Sequence, residues 1–368
     1  EEPPRCYLPD RINVLIEAYS LDKGGLEEVI YNVIRTIDKQ RFNPIIVCIQ
    51  SGGFVAERCR QEGYIVEILE DADKEQKYLN ILEKYNIALV HQHYSTFGAA
   101  LAYSKDIPVV HFIHNSYVWF TDDQVSALRE QDAFITSYIA VSDEVKRYSI
   151  GRVKLPANKI HVIPNGVDID YLNMKFNKPQ TIFRSTYGLQ DSDFVLLNLA
   201  SIDGRKAPLL TISVMKEVMR KYPQVKVLMA GNPLDESLFE LCKQKVKENN
   251  LEQNVIFTGF VSENQDLFKI ADAFLLPSII EGWSISKLEA MFAGLPMILT
   301  DVGGARHVID DNDIGFLIPN AYGDVTQLTD KNLYSYTLNP ETSNYAALKD
   351  AIIRMYEERD MWKKRGFK

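Results

Sequence analysis

Short apolar runs alternate with amphipathic stretches along almost the whole chain. Ile12-Asn13-Val14-Leu15-Ile16 reads as a buried strand, and Val29, Ile30, Val33, Ile34 and Ile37 then recur at helical spacing. Further strands are expected near residues 45–49, 65–69, 88–91, 109–113 and 138–141, with helical segments between them. Alternation at this spacing predicts right-handed βαβ units on a parallel sheet, closing a first domain near residue 170. The pattern then resumes with strands at 194–199, 225–230, 255–257, 273–276 and 297–299, and with helices over 209–222 and 238–249. Two α/β domains with parallel sheets are therefore expected, residues 1–170 and 171–368, with a linker at about 170–190. Residues 322–345 read as a polar, irregular insertion or long surface loop before an amphipathic helix at 346–357.

Composition narrows the class. The 368 residues are 46% hydrophobic and 25% charged, which fits a soluble globular protein of two ordinary domains. A net charge of −9 argues against nucleic acid as the main partner, because that binding needs a dense basic face. Cys6, Cys48, Cys59 and Cys242 form no C-x-x-C pair and read as reduced, buried thiols of a cytoplasmic protein. No apolar run approaches the length of a membrane span. The chain opens Glu1-Glu2-Pro3-Pro4 without Met, so it reads as a fragment or a processed product.

Candidate chemistry concentrates where the strand at 273–276 runs through Glu281-Gly282-Trp283-Ser284-Ile285-Ser286-Lys287-Leu288-Glu289 into a helix. The first helical turn has backbone N–H groups without intrahelical partners, and the helix dipole ends there, so the amides near Ser284, Ile285 and Ser286 suit a diphosphate. Glu281 and Glu289 are separated by about 10 Å of helical rise and can flank such a ligand. The stretch alone reads equally as an acid favouring the dipole and a solvent-facing helix acid. In the first domain, Gly24-Gly25 after the first strand permits close backbone approach to a ligand, or makes a plain tight turn.

Histidines crowd two strand ends, His91-Gln92-His93 and His111-Phe112-Ile113-His114. No carboxylate or cysteine lies at a usual ligand spacing, so no metal is expected there. His114, at a strand carboxyl end, is the site candidate, while His91 and His111 read as structural. Asp71-Ala72-Asp73 has the look of a D-x-D metal-nucleotide motif but sits in a polar run, which favours a solvated loop. Lys146, Arg147, Arg152 and Lys154 cluster on and after a helix expected over 143–152. They fit an acidic acceptor, a membrane surface contacted peripherally, or simply a solvated face.

Taken in order, Gly24-Gly25-Leu26-Glu27, His91-Gln92-His93, Ile163-Pro164-Asn165-Gly166-Val167-Asp168, Phe257-Thr258-Gly259-Phe260-Val261, Leu276-Pro277-Ser278, Glu281 through Gly294 with Pro296, and Gly303-Gly304 resemble retaining glycosyltransferases of the GT-B fold. The resemblance, to those similar to glycosyltransferase family four, covers about residues 11–360. It implies two facing Rossmann-like domains, an acceptor domain followed by a nucleotide-sugar donor domain. By that resemblance Glu281 bonds hydroxyls of the transferred sugar and Glu289 binds the ribose. The amides at the start of the helix after 284 and the Gly24-Gly25 loop hold the diphosphate. Gly231 and Val261 edge the nucleobase, and His114 stands near the donor sugar.

Two departures stand out. Family members usually carry an Arg five positions before their Lys; here Lys206 matches the Lys, Ser201 occupies the Arg position, and Arg205 either substitutes or points away. The usual Gly-Gly-x-Pro-Glu is altered to Gly303-Gly304-Ala305-Arg306-His307. Most of the family's final helix also reads as missing. The resemblance implies a retaining hexosyltransferase that needs no cofactor or metal and moves a sugar from a nucleotide diphosphate donor to a glycan or lipid-linked acceptor. The departures and the missing helix motivate one alternative, a catalytically weak nucleotide-sugar binding module of a larger polypeptide; a GT-B-like sugar nucleotide epimerase, which would convert donor with no acceptor, is another. A Rossmann dehydrogenase is disfavoured because no G-x-G-x-x-G follows the first strand.

Overall fold

The computed structural model describes residue 8 and residues 10–70, 72–310, 313–340 and 344–365. Cys6 and Asp71 lie outside the described residues. The chain divides into two compact units, Glu1–Asp168 and Ile169–Lys368.

The first unit is built on seven parallel strands: β1 (Ile12–Ser20), β2 (Phe42–Ser51), β3 (Ile65–Ile68), β4 (Ile87–His93), β5 (Val109–Ile113), β6 (Ser137–Ala140) and β7 (Ile160–Val162). They lie in the order β3-β2-β1-β4-β5-β6-β7. In the second unit β8 (Phe194–Leu199), β9 (Val225–Ala230), β10 (Val255–Gly259), β11 (Ala273–Leu276), β12 (Met297–Thr300) and β13 (Gly315–Ile318) lie in the order β10-β9-β8-β11-β12-β13, again all parallel. Each order reverses direction once, between β1 and β4 and between β8 and β11. At such a switch point the crossovers leave in opposite directions and open a crevice at the strand carboxyl ends, where ligands bind in doubly wound sheets. The fold class read from the sequence, α/β with a parallel sheet in each domain, is the one observed.

Strands covered on both faces should read as near-continuous apolar runs, and they do. Val195, Leu197, Leu228, Phe274, Leu276, Met297 and Leu299 form one buried cluster with Phe268 and Ala290. Val14, Ile16, Ile30, Ile34, Ile46 and Cys48 form another in the first unit. Burying each large apolar side chain contributes roughly 1.5–3 kcal/mol, which is what holds helices onto the sheets.

Two expectations need correction, and two further elements carry little apolar signal. The linker segment carries an α-helix, Ile169–Phe176, and a 3-10 turn, Arg184–Tyr187. Its apolar signal is thin, but Leu172 is buried and the Phe176 ring packs 5.1 Å from Phe292. The 322–345 segment is not a loop throughout, because it holds a 3-10 turn, Val325–Gln327, and the helix Asp330–Leu338. Thr329 and Asn332 cap that helix reciprocally, a polar start signal that outweighs weak amphipathicity. The helix expected over 143–152 is α-helical only over Asp143–Tyr148 and continues as a π-turn, Ser149–Val153. Finally, β13 escapes the sequence pattern: Gly315 opens it, where a Cβ would lie 1.9 Å from the Met297 carbonyl oxygen of the neighbouring strand. Close backbone approach selects glycine there, and glycine erases the strand signal.

Candidate functional site

In the second unit every candidate follows the carboxyl end of a strand. β8 leads through Ser201 to a 3-10 turn, Gly204–Lys206, and β11 leads through Ser278 to Glu281 and the helix Ile285–Phe292. These two strands are the pair at the switch point, tied by Asn198 Nδ2 donating to the Leu275 carbonyl at 2.8 Å. The Ile279 N–H then donates to the Arg205 carbonyl at 2.7 Å, which fixes one loop against the other.

That fixation brings Lys206 and Glu281 together although 75 residues separate them. Lys206 Nζ lies 2.5 Å from Glu281 Oε1, and the Ser278 hydroxyl donates to the same oxygen at 2.7 Å. Glu281 is buried, while Lys206 keeps about a fifth of its side chain exposed. Gly303 completes the carboxylate's seat. Its φ is +52°, and a Cβ there would come within 2.5 Å of Glu281 Cβ, so only glycine lets the segment after β12 close over the acid.

Arg205 does not join this pair. Its guanidinium grips Asp203, with Nε at 2.8 Å from Oδ1 and Nη2 at 3.1 Å from Oδ2. Ser201 donates its hydroxyl to Asp203 Oδ2 at 2.7 Å. Burial alone would raise the Asp203 pKa, but the bonds and charges of Arg205, with Lys206 and Ser201, outweigh it and hold the carboxyl below its usual range. Ser201, at the position where an Arg was expected, therefore helps to lock Asp203 onto Arg205.

The Ile285–Phe292 helix starts at Ser284, whose hydroxyl accepts from the Lys287 N–H at 3.4 Å and lies 3.0 Å from the Ser286 hydroxyl. Ser284, Ile285 and Ser286 are half-buried around this first turn. Glu289, one turn on, is not solvent-facing: it is buried, and Lys175 Nζ approaches Oε1 at 3.1 Å. Gly231 follows β9, its N–H bonded to the Gly259 carbonyl at 3.0 Å, and Val261 follows β10, half-buried on the core.

Sequence reasoning missed Lys175, Asp203 and Ser278. It also missed Lys287, fully buried, which donates to the Gly303 carbonyl at 2.5 Å and stands 4.1 Å from the Trp283 ring centre. A lysine on the apolar side of a helix was the available signal for it. For the others no local pattern announces the contact.

In the first unit Gly24 and Gly25 are exposed at the start of the helix Gly25–Thr36. A Cβ at Gly24 would meet the Glu27 carboxylate at 2.3 Å, whereas at Gly25 it would meet open space. Burial raises the Glu27 pKa, beyond what its own backbone N–H restores. His114 is buried just after β5, and its Nδ1 has no hydrogen-bond partner among the described residues, a cost of about 1–3 kcal/mol that a ligand atom would relieve. His111 Nδ1 lies 3.0 Å from Gln92 Oε1, and His91 Nδ1 lies 2.9 Å from His93 Nε2. Among the described residues no group of three His, Cys, Asp or Glu side chains could hold a metal. Arg152 pairs with Asp122 at 2.7 Å, leaving Arg147 and Lys154 exposed. No described helix is long and apolar enough to cross a membrane.

Residues 23–171 match the family described as Glycosyltransferase Family 4, and residues 179–344 match that described as Glycosyl transferases group 1. The chain belongs to the GT-B glycosyltransferases related to family four. An uncharacterised glycosyltransferase of Methanocaldococcus jannaschii is 27% identical over 65% of this chain and 64% of its own length, just under two thirds. A UDP-Gal:α-D-GlcNAc-diphosphoundecaprenol α-1,3-galactosyltransferase of Escherichia coli is 24% identical, covering 80% of this chain and 81% of itself. In fold, the chain is similar to Anabaena HepE in complex with UDP-glucose, with a TM-score of 0.72 at 19% identity over 96% of this chain and 98% of that one.

Proposed function

We propose that this glycosyltransferase moves a hexose from a nucleotide diphosphate sugar to a hydroxyl of a glycan or lipid-linked acceptor, with retention and without a required metal. The observation that carries this reading is the Lys206–Glu281 pair at the switch point of the second sheet, beside the start of the Ile285–Phe292 helix. A cation, an acid and a helix N-terminus together match the three parts of such a donor. Lys206 turns from Glu281 to the diphosphate, the helix start takes its other oxygens, and the freed Glu281 accepts from sugar hydroxyls. Glu289 takes the ribose hydroxyls. Relatives that carry UDP-sugar in their names favour a uridine donor.

In the reaction the bond from the anomeric carbon to the phosphate oxygen breaks, and its electron pair leaves with the diphosphate. The acceptor oxygen bonds the same face of that carbon, and its proton passes to the departing phosphate oxygen. Lys206 stabilises charge that develops only as the bond breaks, so its effect falls on turnover. A lipid-linked acceptor brings the protein to a membrane surface, and co-sedimentation with anionic vesicles tests that.

One observation favours a second reading, a weakly catalytic nucleotide-sugar binding module: Arg205 is committed to Asp203 rather than to the Lys206 side of the loop. A thermal-shift panel of nucleotide diphosphate sugars, followed by turnover with whichever donor stabilises the chain, separates the two. A donor at 100 times its Kd raises stability by about 2.7 kcal/mol. Lys206→Ala and Glu281→Ala should each cut turnover by roughly 10²–10³. Near-normal turnover in both variants sinks the transferase assignment, and stabilisation without any turnover supports the binding module. Unchanged turnover in EDTA is expected.

A further inference from the structure

His91, His93 and His114 form a continuous run of ring nitrogens on one face of the first sheet. His91 Nδ1 lies 2.9 Å from His93 Nε2, and His93 Nδ1 lies 2.8 Å from His114 Nε2. At such a separation one nitrogen must donate and the other accept. Burial holds all three rings below the usual histidine range, so each is neutral near pH 7 and carries a single N–H.

The consequence is a collective register. If His91 donates from Nδ1, His93 accepts at Nε2 and donates from Nδ1, His114 accepts at Nε2, and its proton stands on Nδ1. In the opposite register every ring carries its proton on Nε2, and His114 Nδ1 presents a lone pair. The far end of the run therefore decides whether His114 Nδ1 is a donor or an acceptor.

Strand alternation places a second polar chain on the other face, and its contrast is informative. Glu17 accepts from Gln92 Nε2 at 3.0 Å, which turns Gln92 Oε1 towards His111 and makes His111 Nδ1 the donor, also at 3.0 Å. A carboxylate pins that chain in one register. Both ring nitrogens of His93 meet imidazoles, which can serve either way. At one end of this run His91 is half-buried, and at the other His114 Nδ1 is buried without a partner among the described residues.

We propose that His91 and His93 are positioning residues that set the proton on His114 Nδ1, making the three rings a relay between the half-buried end and a ligand oxygen. What His114 meets rests on the glycosyl-transfer reading; the relay itself does not. When the register turns, His91 Nε2 takes a proton from solvent, His91 Nδ1 passes its own to His93, and His93 Nδ1 passes its own to His114. His114 Nδ1 releases its proton to the ligand oxygen. All three rings end neutral, and one proton has moved from solvent to ligand.

Ring-nitrogen NMR of the full chain labelled with ¹⁵N-histidine reads the tautomers directly. In the ligand-free protein the three rings should share one ratio of Nδ1–H to Nε2–H. His91→Phe, which leaves the neighbours of His114 in place, strands His93 Nε2 without a partner; a stranded buried N–H costs more than a stranded lone pair, so the His114 ratio should shift several-fold towards Nδ1–H. The substitution should also lower kcat several-fold more than it raises the donor KM. Independent ratios at the three rings, or an unchanged His114 ratio in His91→Phe, overturn the relay. Where that variant does not fold, the comparison of the three wild-type rings decides alone. The spectra need no donor, so they fail separately from the transferase reading, whose failure shows as no turnover of any donor by the wild-type chain.

Discussion

Lys175 and Glu289 are 114 residues apart in sequence, yet the lysine ammonium stands 3.1 Å from the carboxylate on the Ile285–Phe292 helix. Both side chains are mostly buried, at 15% and 11% exposure, so this is a pair that solvent screens only in part. Under the proposed function Lys175 orients the acid that takes the ribose. Lys175→Met, which keeps the stem and loses the charge, should weaken donor binding by about tenfold. Titration calorimetry checks this, and the Lys175→Met/Glu289→Gln double variant should bind no worse than Glu289→Gln alone if the two act as one unit.

Gly204, next to the Arg205-Lys206 pair, packs against Thr337 of the Asp330–Leu338 helix. A Cβ at 204 would lie 2.6 Å from Thr337 Oγ1 and 3.0 Å from Cγ2. Gly204→Ala should therefore destabilise the chain by about 1–3 kcal/mol and lower turnover by displacing Lys206. Thr337→Ala removes both clashing atoms, and the double variant should recover most of the loss in thermal midpoint and in rate.

Stability should fall as the solution becomes acidic from about pH 6.5. Burial depresses His91 and His111 to about 4 and His114 to about 3, with His93 well below its usual value, largely through burial and then its histidine neighbours. Between the unfolded value of about 6.5 and these folded values the unfolded chain binds more protons, so unfolding free energy rises with pH there. The stabilisation is complete above pH 6.5 and is lost on descent towards pH 4. Each histidine contributes a slope of about 1.4 kcal/mol per pH unit in that window. Denaturant titrations between pH 7 and pH 5 check the slope, which should drop by one proton in His111→Gln.

Cys48, Cys59 and Cys242 should resist alkylation in the folded protein. All three are buried, and burial pushes each thiol up to about 12, so almost no thiolate exists at pH 8. Maleimide labelling followed by mass spectrometry should modify them only at the rate of unfolding. Rapid labelling of any of the three under native conditions would contradict the buried assignment.

Much of the fold was legible because apolar run length and spacing are local properties. Val109–Ile113, Phe194–Leu199, Val225–Ala230 and Ala273–Leu276 fall where the pattern placed them. The Asp330–Leu338 helix and β13 did not, since a polar capping box and a strand-opening glycine carry little apolar signal. Of the site, Glu281, Lys206, Ser284 and His114 were nameable from motif and position. Lys175, Asp203 and Ser278 were not, because each matters through one contact that the chain makes only after it folds.

The sequence by itself determined two parallel α/β units, the family, and the residue types available at each strand end. Only tertiary structure decided the pairing: Lys206 on Glu281, Lys175 on Glu289, Arg205 on Asp203, and three imidazoles in a row. The reason is physical. Hydrophobic burial follows a local periodicity that a one-dimensional string records, whereas the partner of a charge or a ring nitrogen depends on which strand ends the sheet order makes adjacent.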